Sequence, residues 1–256
     1  MALLLLIPRL QKKMENRWFV LFRDWYVLPL ILVIYLESNQ LVPLVHPRDV
    51  DVMLIAWDRW LFAGHDPTVL LEGVTFPLLT EGLQLVYASF YFLPFSLCLF
   101  LYLRGDRYSF RICSTVIIFG FYLSFIGYYL FPAVGPRFTL NHLQSFPLSG
   151  VWIFFTIRDL LDVASNMARD CFPSGHILVS FLTVVLSYRY LRSYFILFLI
   201  WSVLLTVSTV YLRYHYAVDI LAGAGLAAAV QLFLLPVFEG LIENLPAPLG
   251  RKDAGK

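Results

Sequence analysis

Three polar groups interrupt an otherwise apolar chain, and each has residue types suited to phosphorus chemistry. The first is His215 with Asp219, four positions apart. On a helix that spacing puts both side chains on one face. The carboxylate would take the proton of one ring nitrogen, fixing the tautomer and leaving the other nitrogen free as nucleophile or base. Asp219 is the only charged residue in Tyr216–Phe238. A carboxylate in such a run is expensive and suggests function; the plain alternative is a neutralised carboxylate kept for helix packing.

The second group is Pro173-Ser174-Gly175-His176. Proline favours the first position of a helix, and the amides of Ser174, Gly175 and His176 would then lack carbonyl partners. Such a helix start is a ready phosphate site, with His176 beside it to protonate a leaving oxygen. The third group is arginine. Arg137 follows Pro132, Gly135 and Pro136, and Arg213 lies two residues before His215. A guanidinium grips phosphate with paired hydrogen bonds; a snorkelling interfacial arginine is the alternative for each. Arg169 and Asp170 are placed to pair with each other. His46, His65 and His142 read as solvated loop residues.

The elements that must position these groups are membrane helices. The 256 residues are 60% apolar and 14% charged, with a net charge of +2. An average soluble domain is about 45–50% apolar and about 25% charged. This excludes a disordered chain, a basic nucleic-acid binder and a disulfide-stapled module. The three cysteines, Cys98, Cys113 and Cys171, give no disulfide framework. Residues 2–7 are too short for a signal sequence. Six spans are predicted: Trp18–Leu36, Leu83–Leu103, Ile112–Phe131, Phe172–Leu191, Tyr194–Tyr211 and Tyr216–Phe238. Arg23 and Asp24 weaken the first. Val50–Phe62 and Val151–Met167 read as interfacial helices. Gly120, Gly127 and Ala222–Ala229 offer close helix contacts. The fold class is an all-α polytopic membrane bundle, a single membrane domain over 1–256. Within it lie a basic N-terminal tail (1–17), a catalytic core (83–238) and a cytoplasmic C-terminal tail (239–256).

With six spans, 13 of the 19 basic residues fall on the N-terminal side of the membrane. The positive-inside rule makes that side cytoplasmic. All three polar groups fall on the opposite side, because each lies where an odd-numbered span ends or the next begins.

Pro173-Ser174-Gly175-His176, followed by His215 and Asp219 at the mouth of a later span, resembles the type-2 phosphatidic acid phosphatase superfamily, which also contains vanadium haloperoxidases. The resemblance implies six spans and metal-independent phosphoryl transfer through a phosphohistidine, with no cofactor. His215 would be the nucleophile, Asp219 its partner and His176 the general acid. Ser174 and Gly175 would belong to the phosphate cradle, with Arg137 and Arg213 as its cations. Two usual cations are missing: Leu130 and Thr209 occupy their places, and the order Pro136-Arg137 is reversed. The runs Tyr129–Arg137 and Tyr211–Tyr216 look like the inositol phosphorylceramide synthase branch, whereas Gly175 is closer to the phosphatases.

The function expected is an integral membrane phosphotransferase. It would move a phosphoryl or phospho-head group, phosphoinositol being one candidate, from a phospholipid or lipid phosphate. The alternative is a phosphatase with water as acceptor. A transporter would place its polar groups near mid-membrane or in repeated halves, and neither pattern is present. A metalloenzyme would need several ligands at metal spacing; the two matched histidines and Asp219 could hold zinc, and chelator resistance separates the readings.

Overall fold

The computed structural model describes residues 17–165 and 169–244. Among these, every regular element is helical, the expected class. The principal helices are α1 (Arg17–Trp25), α2 (Val27–Val45), α3 (Asp51–Leu61), α4 (Pro77–Ala88), α5 (Phe92–Leu103), α6 (Arg107–Leu130), α7 (Phe154–Ser165), α8 (Gly175–Tyr190), α9 (Phe195–Tyr211), α10 (Ala217–Ala229) and α11 (Leu235–Glu243). Arg9, Lys12 and Lys13 of the N-terminal tail, and Arg251, Lys252 and Lys256 of the C-terminal tail, lie outside the described residues.

Four helical stretches are long and apolar enough to cross a membrane: Trp18–Val45, Arg107–Leu130, Arg192–Tyr211 and Ala217–Glu243. The pair α4 and α5, bent by 50°, makes a fifth if it counts as one span. The six-span expectation is therefore approximate, and it departs from the structure at two places. Leu83–Leu103 is broken at Ser89–Tyr91, where Pro94 has no N–H to offer the Phe90 carbonyl and its ring crowds that carbonyl. The break turns Phe90 and Tyr91 toward the site. Phe172–Leu191 becomes α8, whose 16 residues extend only about 24 Å. Arg23 and Asp24 do not disrupt the first span; they pair at 2.6 Å, and Arg107 approaches the same carboxylate at 3.5 Å.

Helix α8 is the hub. It packs against α5, α6, α9 and α10, and Ile177, Leu178, Leu182 and Leu186 are fully buried along it. Being wrapped by protein, it does not need a lipid-facing length. Its hydroxyls bond back to its own carbonyls, Thr183 to Val179 and Ser187 to Val184, both at 2.7 Å, so no polar group is stranded. Glycines let the neighbours close in. A Cβ at Gly127 of α6 would stand 2.3 Å from Pro173 Cδ, and one at Gly223 of α10 would stand 2.7 Å from the Ser174 carbonyl oxygen. Both contacts hold the loop that opens α8. The three cysteines are free and buried.

Helix α3 differs from the interfacial expectation in what it buries. Asp51, Leu54 and Asp58 form its inner face, so the carboxylates face the protein rather than water.

Candidate active site

The two histidines meet. His215 Nε2 lies 3.2 Å from His176 Nδ1 and 3.5 Å from Ser174 Oγ. On the other side of the ring, Nδ1 lies 3.2 Å from Asp219 Oδ2 and 2.8 Å from the Cys171 carbonyl oxygen. Two acceptors at Nδ1 keep the proton there, so the Nε2 lone pair points into the site.

The spacing of His215 and Asp219 works through a helix cap rather than a helix face. Helix α10 begins at Ala217 with Tyr216 as its N-cap, so His215 lies outside the helix. Asp219 at the third helical position accepts the Tyr216 backbone N–H at 2.9 Å while reaching His215, the geometry of a capping box. Backbone bonds from His215 and Tyr214 to the Thr209 carbonyl, each 3.0 Å, fix the approach. Thr209 thus contributes its main chain, and Leu130 is exposed. Neither substitutes for a missing cation.

His176 opens α8 and is clasped by rings. Phe90 lies 4.4 Å and Tyr87 4.6 Å away between centroids, and Tyr87 stacks on Tyr214 at 4.4 Å. Ser174 caps the helix, its Oγ accepting from the Ile177 N–H at 3.4 Å. A Cβ at Gly175 would stand 2.5 Å from the Tyr128 hydroxyl, so a side chain there would have to displace that hydroxyl.

The arginines divide. Arg137 lines the cavity and is gripped by both oxygens of Asp162 on α7 at 2.5 Å each. Burial works against its charge, but the Asp162 hydrogen bonds outweigh it and the guanidinium is held protonated. Arg213 is not brought to the cavity. It is buried, donating to Gln144 Oε1 at 2.6 Å, the Phe146 carbonyl at 3.0 Å and Glu72 Oε1 at 2.9 Å. Its expected grip on phosphate is replaced by a lock on the 140s loop. Arg169 and Asp170 do not pair with each other. Arg169 bonds Asp49, and Asp170 accepts from the Tyr35 hydroxyl at 2.5 Å.

Several positioning residues escaped sequence reasoning. Asp51 accepts the N–H groups of Val134 and Gly135 at 3.1 and 2.9 Å and the Tyr216 hydroxyl at 2.8 Å. Asp58 accepts the N–H groups of Ala217 and Val218 at 3.0 and 2.8 Å. Helix α3 therefore ties the Arg137 loop to the start of α10. Asp51, Leu54 and Asp58 recur at helical spacing, a signal that the inward face carried acids.

Burial pushes Asp58 up from 3.8 to about 6, reinforced by the Asp219 and Asp66 carboxylates and opposed by its two N–H bonds. The folded chain then binds this proton more tightly than the unfolded chain. The group's contribution to stability is greatest below pH 3.8 and is lost as pH rises through about 6. Relative to Asp58→Asn, the wild type should lose melting temperature between about pH 4 and pH 7. Parallel thermal profiles of the two proteins over that range would contradict this account.

Cys171, His215 and Asp219 are the one group of three among the described residues placed to hold a metal, their ligating atoms lying within 4.8 Å of one another. His176 is not part of it. Burial, then the Asp219 charge, pushes the Cys171 thiol well above its ordinary range. The thiol instead donates to Asp219 Oδ2 at 2.9 Å, a contact a metal would have to replace.

The cavity beside the histidines holds about 170 Å³. It runs from Leu32 and Leu36 on α2, an edge helix with few buried residues, to His176 and His215. Arg137 is the one lysine or arginine lining it among the described residues.

A family profile described as the PAP2 superfamily matches residues 52–233. The chain is also 33% identical over 214 residues to a PA-phosphatase related-family protein of Dictyostelium discoideum. That alignment covers 72% of this chain and 37% of the relative, so the chain matches well under half the relative's length. No solved structure matches.

Proposed function

The chain belongs to the PAP2 superfamily, and from that premise we propose a membrane enzyme that transfers phosphoryl or phospho-head groups from lipids through a phosphohistidine on His215. The observation that carries this reading is the His215 ring, with Nδ1 tethered to Asp219 and Nε2 facing His176. In the first step the Nε2 lone pair attacks phosphorus and the bond to the leaving oxygen breaks. His176 gives that oxygen its proton. In the second step an acceptor hydroxyl attacks, His176 takes its proton and the P–N bond breaks. The Ser174, Gly175 and His176 amides at the start of α8 and the Arg137 fork hold the phosphoryl oxygens. Asp162 occupies that fork in the structure and is displaced when phosphate binds. The cavity mouth at Leu32 and Leu36 suits entry of a lipid from the bilayer. No step requires a metal.

The same intermediate serves water or a lipid hydroxyl. Transfer in the manner of the inositol phosphorylceramide synthase branch is the favoured outcome, and hydrolysis of a lipid phosphate is the second. Purified protein given a panel of phospholipids and acceptors, scored for free phosphate and for new phospholipid, tests both. Neither product from any donor overturns the proposal.

The site is proposed to face away from the cytoplasm, from the basic-residue asymmetry. Ser145 is exposed in the connection between α6 and α8, and the native cysteines are buried. Ser145→Cys should react with an impermeant thiol reagent on intact cells. Reaction only after permeabilisation reverses the orientation.

A further inference from the structure

Helix α6 carries two arginines, Arg107 and Arg111, at the end away from the histidines. Its other end meets the active site, where Gly127 packs on Pro173, and its 24 residues span about 36 Å. Four positions apart, the two arginines share one face of the helix. Helix α1 is docked beside them. Trp25 packs on Tyr102 and Phe110, each at 5.3 Å between ring centroids, and Asp24 Oδ2 lies 3.5 Å from Arg107 Nη1.

Charge does not balance at this junction. Arg23, Arg107 and Arg111, which stay protonated at any physiological pH, face the single carboxylate of Asp24. Arg23 takes Oδ1 of that carboxylate through two nitrogens, at 2.8 and 2.6 Å. Arg107 Nη1 is buried and makes no hydrogen bond. The Tyr102 ring holds this guanidinium 3.6 Å from its centroid, a cation–π contact that uses no N–H donor. The Arg111 guanidinium has no side-chain partner among the described residues. The other acids at this end are committed. Asp106 caps α6 by accepting the Ser109 N–H at 3.0 Å. Glu243 accepts from the Tyr108 hydroxyl, on a neighbouring face of α6, at 3.0 Å, and Glu239 pairs with Arg189. Arg104, the remaining cation nearby, leans over Tyr194.

Two fixed guanidiniums with unused donors call for an anion. The surroundings say which kind. Leu21 and Phe22 of α1 are exposed, in a stretch long and apolar enough to cross a membrane. A soluble anion offers nothing to those side chains. A phospholipid offers its phosphate to the arginines and its acyl chains to the helix. A zwitterionic head group would bring its own cation against the surplus positive charge, whereas a net anionic one would not.

We propose that the junction of α1 and α6 binds an anionic glycerophospholipid, with its phosphate bridging Arg107 and Arg111 and its chains lying along α1. The site is separate from the histidines and independent of the chemistry proposed for them.

Calorimetry on the full-length protein in uncharged detergent tests this with three probes: dioctanoyl phosphatidylglycerol, dioctanoyl phosphatidylcholine and inorganic phosphate. Wild type should bind the glycerol lipid about thirtyfold more tightly than the choline lipid, as two unpaired arginines at a membrane surface predict. Arg107→Gln and Arg111→Gln should each lose about fivefold of that preference, and the double variant should bind the two lipids equally. Arg111→Gln strands no partner, so its fold is safe, and Arg111→Lys should keep most of the preference. Equal binding of the two lipids by wild type, or a preference that survives in the double variant, overturns the inference. A preference lost in Arg137→Ala but kept in the double variant places the anionic lipid at the histidines and also overturns it. Displacement of the glycerol lipid by inorganic phosphate at a comparable concentration shows a soluble-anion site and overturns the lipid assignment.

Discussion

His215→Ala should leave a folded, inserted protein whose turnover falls about 10⁴-fold or more, since removing a nucleophile that acts as a unit with its partners abolishes the covalent route. The His215 side chain is buried against Ser174, Cys171 and Asp219, and the backbone bonds to Thr209 do not depend on the ring. Asp219→Asn is the sharper probe. Three donors converge on one oxygen, Oδ2: the Tyr216 N–H, the Cys171 thiol and His215 Nδ1, at 2.9, 2.9 and 3.2 Å. The other oxygen, Oδ1, is buried without a hydrogen-bond partner. An asparagine can place its carbonyl where Oδ2 was and its amide on the empty side, so the cap survives. What disappears is the charge that stabilises the ring cation formed as Nε2 becomes bonded to phosphorus. A loss on the order of 10²–10⁴-fold with an unchanged melting temperature follows, as when the acid of a catalytic triad becomes an amide. The decisive readout is acid-labile phosphate on the protein after a quenched turnover. His215→Ala must lose it. If that variant still acquires the label and still turns over, His215 is not the nucleophile.

The residues that would do chemistry were legible in the sequence because their signals are local. Pro173-Ser174-Gly175-His176 reads as a helix start, and α8 begins there. His215 and Asp219 read as a pair, and they are one, although a cap turn rather than a helical face joins them. The residues that aim them were not legible, because their partners lie far along the chain. Tyr216 reaches Asp51 across 165 positions, and Arg213 reaches Glu72 across 141. Arg213 beside His215 resembled a phosphate grip; only the fold shows that Glu72, Gln144 and Phe146 take its donors. Arg137 lines the cavity, but the Asp162 that occupies its guanidinium belongs to a stretch that reads as an interfacial helix. The span count is approximate for a different reason. Apolar length alone cannot separate a helix wrapped by protein, such as α8, from one facing lipid.

His176→Ala should cost about 10²–10⁴-fold in turnover of a lipid phosphoester, the usual contribution of general-acid assistance. The argument turns on what leaves. An alkoxide is a poor leaving group and needs its proton during bond cleavage; a nitrophenolate is stable without one. The same variant should therefore lose much less activity toward p-nitrophenyl phosphate than toward a lipid substrate. A residue that only shaped the site would reduce both alike. The structure makes this contrast interpretable, because His176 is held by Phe90 and Tyr87 and the anchors of His215 are Asp219 and the Cys171 carbonyl. Truncating His176 thus leaves the nucleophile's tether in place. Arg137→Ala supplies the opposite signature. It removes charge stabilisation of the phosphoryl oxygens, a term common to every substrate, so its loss should be similar for both leaving groups. Phosphorylated His215 should also still form in His176→Ala with the activated ester and be trapped by quenching. Equal losses with both esters would remove His176 from the acid role and leave it as a wall of the phosphate cradle.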